Sequence, residues 1–197
     1  MNRFMPSISN EEAAALPAAQ FGGRIVVVDT EEALERAYLH LSQQSVIGFD
    51  TETRPNFKAG HLNRVALVQL STEDCCWLIR LCRMPKFPEK LIRLLTDEKL
   101  IKVGVAVTGD IIGMNRIRRF RAKGFFELQD DVKRFGIENF SLRKISAIVL
   151  GERVSKAQRL SNWEAMTLTG QQQMYAATDA WVCLRIYKAL RAADNAK

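Results

Sequence analysis

Histidine is nearly missing from this sequence. His40 and His61 are the only two in 197 residues. Cysteine is also scarce, at four positions (Cys75, Cys76, Cys82 and Cys183), and none of them forms a CxxC pair. A zinc centre built from cysteine and histidine is therefore excluded as the expected chemistry. Cys76 and Cys183 lie in apolar segments and read as small buried hydrophobes, which points to a reduced, cytoplasmic protein. No apolar run approaches the roughly 20 residues needed to cross a bilayer, so no membrane partner is expected. The first residues, MNRFMPSISNEEAAALP, lack the apolar stretch of a signal peptide, because Glu11 and Glu12 interrupt it. Repeats, low-complexity tracts and linkers are absent as well, which argues for one domain.

What is present is a core-forming composition with a basic excess. Hydrophobic residues make up 47%, and 29 basic against 22 acidic residues leave a formal net charge of +7. Such a balance favours a polyanionic partner, with nucleic acid first among them. Residues 1–22 read as a flexible N-terminal arm with one helical turn, capped by Ser9 or Asn10 and stopped by Pro17. Residues 23–192 read as the folded domain, and 193–197 as a tail. Strands are expected at 24–28, 45–52, 65–71, 76–81, 100–107 and 125–128. Helices are expected after Asp29 or Thr30, over 88–95, after Thr108, over 141–150 and over 171–192. Strands 45–52, 65–71 and 76–81 lie close together and suggest an antiparallel meander. The whole pattern implies an α/β fold with a mixed sheet covered by helices.

The acids carry the chemistry. Asp50 and Glu52 end the strand VIGFDTE, and their spacing of two places both side chains on one face. Adjacent carboxylates repel unless a cation lies between them, although a solvated strand end explains this pair equally well. In the last helix Tyr175, Asp179, Val182 and Ile186 share one face. An aspartate in so apolar a stripe needs a partner or a metal, and an ion pair with an arginine is the simpler explanation for it alone. Asp110 follows the strand IKVGVAV, where a helix begins, and the helix dipole alone would account for it. Taken together, each acid stands at a strand end or interrupts a buried helix face. Hard oxygen ligands without histidine or cysteine select Mg²⁺ or Mn²⁺. Two such ions, about 4 Å apart, can clamp the attacking and leaving oxygens of a phosphodiester.

The segments FDTE at 49–52, VGVAVTGD at 103–110 and YAATDAW at 175–181 resemble the three motifs of the DEDD exonucleases. The tyrosine four residues before the last aspartate is that of the DEDDy branch. HLNRVALVQLS and RLSNW are especially similar to the Werner-syndrome-type exonuclease domain within it, with ribonuclease D a more distant relative. The resemblance spans roughly residues 24–190. It implies an RNase H-like fold with a mixed five- or six-stranded sheet. It also implies 3′–5′ hydrolysis of DNA or RNA with release of nucleoside monophosphates. In that family Asp50, Glu52, Asp110 and Asp179 would hold two metal ions, and Tyr175 would orient the attacking water.

Substrate contacts are expected from basic clusters. Arg54, Lys58, His61 and Arg64 flank the first motif, and Lys156 and Arg159 precede Ser161–Asn162–Trp163. Trp163 is a candidate for base stacking, with a core role as the alternative. The run Arg116, Arg118, Arg119, Arg121 and Lys123 is a second basic surface or a polar helix end. Two other readings stand beside the exonuclease: a nucleic-acid-binding module without catalysis, and a nuclease of very short oligonucleotides. The choice between DNA and RNA and the oligomeric state are not legible in the sequence.

Overall fold

A computed structural model of the chain describes residues 4–55 and 63–195. Its elements run α1 (Asn10–Ala15), β1 (Arg24–Val28), α2 (Glu31–Leu41), β2 (Val46–Thr53), β3 (Val65–Ser71) and β4 (Cys75–Ile79). After a 3₁₀ turn at Leu81–Arg83 come α3 (Glu89–Thr96), β5 (Ile101–Gly104), α4 (Val107–Asn115), β6 (Phe125–Glu127) and α5 (Leu128–Lys133). α6 (Leu142–Leu150) and the long α7 (Gly170–Asp194) complete it.

Local chemistry starts these helices. The Thr30 hydroxyl accepts the Ala33 N–H at the head of α2, and Ser141 does the same for Lys144 in α6. Thr169 and Gln172 cap α7 reciprocally, each side chain accepting the other's backbone N–H. Ser9 and Glu12 repeat that arrangement in α1.

The six strands form one mixed sheet in the order β1-β4-β3-β2-β5-β6. β2, β3 and β4 make the expected antiparallel meander, while β1, β5 and β6 join it in parallel. Every residue of β3 and β4 is buried, so both faces of the sheet are covered. Ile47 and Phe49 pack with α2 and α3 on one face. The other face carries α7 and α6, around Val103, Val182 and Ile186.

Two element boundaries differ from expectation. The strand foreseen over 100–107 stops at Gly104, because Ala106 takes a left-handed backbone (φ 59°) and turns the chain into α4. The apolar run Val105–Ala106–Val107 hides that turn from any pattern search. The N-terminal arm makes contacts with the folded domain. Phe21 is buried, with its N–H bonded to the Thr178 hydroxyl at 3.1 Å, and Ala18 bridges Arg153. At the other end α7 continues through Asp194, past the boundary expected at 192.

Candidate active site

β2 is an inner strand, and α7 crosses it. The crossing is close because residue 48 is glycine: a Cβ there would lie 1.8 Å from the Ala180 carbonyl oxygen. Gly48 therefore faces α7, and strand alternation puts Asp50 and Glu52 on that same face. Asp179 adjoins Ala180, so the close approach delivers its carboxylate to the end of β2. One oxygen from each of Asp50, Glu52 and Asp179 lies within 4.8 Å of the others.

Asp110 arrives from the opposite side. It sits in the first turn of α4, and its Oδ1 accepts a short hydrogen bond from the Thr51 hydroxyl. Thr51 points away from α7, between the two acids of the strand. The start of α4 is itself held by Glu127, whose carboxylate accepts the N–H groups of Ala106, Val107 and Gln129 at 2.9–3.0 Å. A left-handed alanine costs free energy, and strain of this kind gathers at functional sites.

The electrostatics are those of uncompensated charge. Burial pushes Asp50 well above the ordinary carboxylate range, with Asp179 and then Asp110 adding to the rise. Burial, then Asp50, raises Glu52 to about 10. Burial lifts Asp179 to about 7, opposed by the Tyr175 hydroxyl beside it. Asp110 rises to about 6, chiefly by burial, with the Thr51 hydrogen bond pulling down. Burial and the Asp179 charge push the Tyr175 phenol upward, so it remains protonated. The Asp179 Oδ1 is buried and has no hydrogen-bond partner. A divalent cation meets every one of these features: hard oxygen donors, repulsion to be cancelled and an orphaned ligand atom. The donor set fits the metal that the sequence motifs imply.

The remaining expected contacts separate. Trp163 is fully buried and cannot stack on a base; its ring packs 6.0 Å from that of Tyr175 and supports it from behind. Tight core packing around Leu168, Ala176 and Ala177 explains that placement. Lys156 and Arg159 are exposed on the loop before Trp163. Their neighbours Ser155, Ala157 and Gln158 line a cavity of about 590 Å³ that also includes Tyr175 and Asp179. Arg64 lines a different cavity, with Val65, Ile117 and Glu164. Arg54 and Arg116, by contrast, line the pocket of about 480 Å³ that contains Thr51 and Asp110. Lys58 and His61 lie outside the described residues.

Sequence reasoning missed Gly48, Thr51 and Glu127. Gly48 and Thr51 were visible inside VIGFDTE, as the small residue two positions before the first acid and the hydroxyl between the two acids. Glu127 carries no local signal. Gln69 was also missed. It stands directly opposite Asp50 on β3, fully buried, with neither carboxamide atom hydrogen-bonded.

A mixed sheet with two carboxylates at the end of an inner strand, a third acid and a tyrosine on the helix that crosses it and a fourth acid on α4 defines a class of metal-dependent nuclease domain. Residues 25–193 match the family described as 3′-5′ exonuclease, and the chain belongs to it. It is 36% identical over 184 residues to the mouse bifunctional 3′-5′ exonuclease/ATP-dependent helicase WRN, covering 89% of this chain and 13% of that protein. It is 30% identical over 200 residues to an Arabidopsis thaliana 3′-5′ exonuclease, covering 93% of this chain and 69% of the relative. Among solved structures, the Aedes aegypti Nibbler EXO domain superposes with a TM-score of 0.76 at 26% identity, over 86% of this chain and 88% of that one. Escherichia coli RNase D, at 20% identity and a TM-score of 0.77 over 88% of this chain and 46% of that one, shares the fold. The fold is thus RNase H-like, as the motifs implied, with six strands in its sheet. Among the described residues no helix is long and apolar enough to cross a membrane.

Proposed function

We propose that this chain hydrolyses DNA or RNA stepwise from the 3′ end, releasing nucleoside monophosphates and using Mg²⁺ or Mn²⁺. The observation that carries the reading is the gathering of Asp50, Glu52 and Asp179 within 4.8 Å, with Asp110 bonded to Thr51 from α4 and its charge adding to the rise of Asp50 and Glu52. These four carboxylates would hold the cations. Bound there, the metal supplies a water of lowered pKa and charge stabilisation at the phosphoryl oxygens. Tyr175, protonated and with its hydroxyl on Asp179, would orient the attacking water. Trp163 fixes the Tyr175 ring, and Thr51 fixes Asp110. The basic balance of the chain, Arg54 and Arg116 at the pocket edge, and Lys156 and Arg159 on the opposite loop favour a polyanionic strand. Four free thiols, three of them buried, accord with a reducing, cytoplasmic setting.

The test is direct. A 5′-labelled single strand incubated with Mg²⁺ or Mn²⁺ should yield a ladder shortening one nucleotide at a time, and excess chelator should stop it. Zinc should not be needed. Activity that survives chelation, or an endonucleolytic pattern, overturns the reading.

A further inference from the structure

The run Arg116–Lys123 follows α4, and its basic residues do not behave alike. Arg118 turns toward Glu89, at 3.6 Å, and Lys123 pairs with Glu98 at 2.9 Å. Among the described residues Arg116, Arg119 and Arg121 make no ion pair, and all three are exposed. They line an open groove of about 730 Å³ together with Ile112 and Phe120. Ile112 and Arg116 also line the pocket that holds Asp110 and Thr51. Groove and acid pocket are therefore one continuous surface, joined at the face of α4.

The arginines are held on a fixed turn. The Arg116 and Arg118 N–H groups bond back to the Ile112 and Met114 carbonyls at 3.2 and 3.0 Å, and the Asn115 side chain accepts the Phe120 N–H at 2.9 Å. Phe120 anchors the turn against Phe87, with ring centroids 6.0 Å apart. Ile112 is half exposed at the junction of groove and pocket and gives that junction an apolar step. A positive groove with an apolar step suits a strand whose phosphates are anionic and whose bases and sugars are flat and apolar.

We propose that this groove carries the strand being degraded, gripping the phosphates two to three nucleotides upstream of the scissile bond through Arg116, Arg119 and Arg121. The proposal rests on the exonuclease reading above. The distance follows from the helix. Asp110 to Arg116 is six residues, or about 9 Å of helix axis at about 1.5 Å per residue, while phosphates of a stacked strand recur about every 3.4 Å. A dinucleotide placed at the acids does not reach Arg119 and Arg121, which lie beyond Arg116 in the groove, whereas a longer strand does.

The experiment compares wild type with an Arg119→Ala/Arg121→Ala double variant on a dinucleotide and on a 12-nucleotide single strand. Anisotropy in chelator measures binding of the 12-mer at several salt concentrations. The double variant should lose about tenfold or more in kcat/KM on the 12-mer and none on the dinucleotide. Its salt slope should flatten by about 1.4, at roughly 0.7 per phosphate contact in single strands. Unchanged 12-mer binding and slope overturn the groove, as does an equal loss on both substrates. A wild type that binds the 12-mer with the full slope but cuts neither substrate overturns the exonuclease reading and leaves the groove standing.

Discussion

Asp131 and Asp179 are aspartates buried to nearly the same depth, 4% and 6% exposed, and each lies against or on α7. Their surroundings are opposite. Asp131 receives Arg134 at 2.9 Å and Arg191 in a short contact, so its charge is matched twice over. Asp179 faces Asp50 and Glu52, and its Oδ1 has no partner. Burial alone thus does not mark a site, since a folded protein tolerates a buried carboxylate once arginine answers it. Burial that the protein leaves uncompensated is what calls for a ligand. The fold answers the charge of Asp131 itself and leaves that of Asp179 unanswered.

The widest separation between the two aspartates should appear in catalysis. Asp50→Ala or Asp179→Ala should lower kcat by about 10³-fold or more, because metal charge stabilisation amounts to several kcal/mol. Asp131→Ala should leave kcat close to wild type in whatever fraction folds. Steady-state rates normalised to folded protein decide this, and a crippled Asp131→Ala would break the comparison.

Tyr175→Phe should come next, with a loss of about 10- to 100-fold, the worth of one hydrogen bond to a charged or reacting group. Metal affinity by calorimetry should stay near wild type in Tyr175→Phe and collapse in Asp179→Ala. Equal losses of affinity would move Tyr175 from positioning water to holding metal.

Stability should change with opposite signs. In chelator at neutral pH, Asp179→Asn should be more stable than wild type by about 1–2 kcal/mol, since it removes one charge from a repelling, desolvated cluster. Asp131→Asn should be less stable by about 2 kcal/mol. That is below the cost of breaking a fully buried pair, because Arg134 and Arg191 are partly exposed. Mg²⁺ should then raise the melting temperature of wild type more than that of Asp179→Asn. A less stable Asp179→Asn would mean that a cation from the protein already serves that carboxylate.

The smallest effect is a slope. Asp110 at about 6 and Asp179 at about 7 hold protons in the folded protein that the unfolded chain has released above about 4. The stabilisation is complete below the unfolded values and is lost as pH rises through the folded ones. Metal-free wild type should therefore weaken between pH 4 and 7. Asp179→Asn should weaken by about 1 kcal/mol less between pH 5 and 7, as chemical denaturation at each pH would register. Parallel curves would remove Asp179 from the titrating set.

Much of the site was legible because its parts are locally periodic. Asp50 and Glu52 share a face through the two-residue period of a strand, and Tyr175 and Asp179 through the helical period. For Trp163 the sequence leaves base stacking and core packing both open, because an aromatic beside a basic loop suits either, and the fold buries it. Arg64 and Arg116 both stand in basic clusters that the sequence alone does not rank. In the folded protein Arg64 opens into another cavity, while Arg116 reaches Asp110 across the outer face of α4.

By itself, then, the sequence determined the donor chemistry, the face of each element that bears it and the order of the elements. Those depend on residue type and on periods of two and 3.6, which any short segment already contains. Tertiary structure alone decided that the acids meet. Gly48 lets α7 approach β2 until Asp179 stands beside Asp50. The left-handed turn at Ala106, held by Glu127 from β6, swings Asp110 in from the other side. Both depend on contacts between segments far apart in the chain, which local periodicity does not encode.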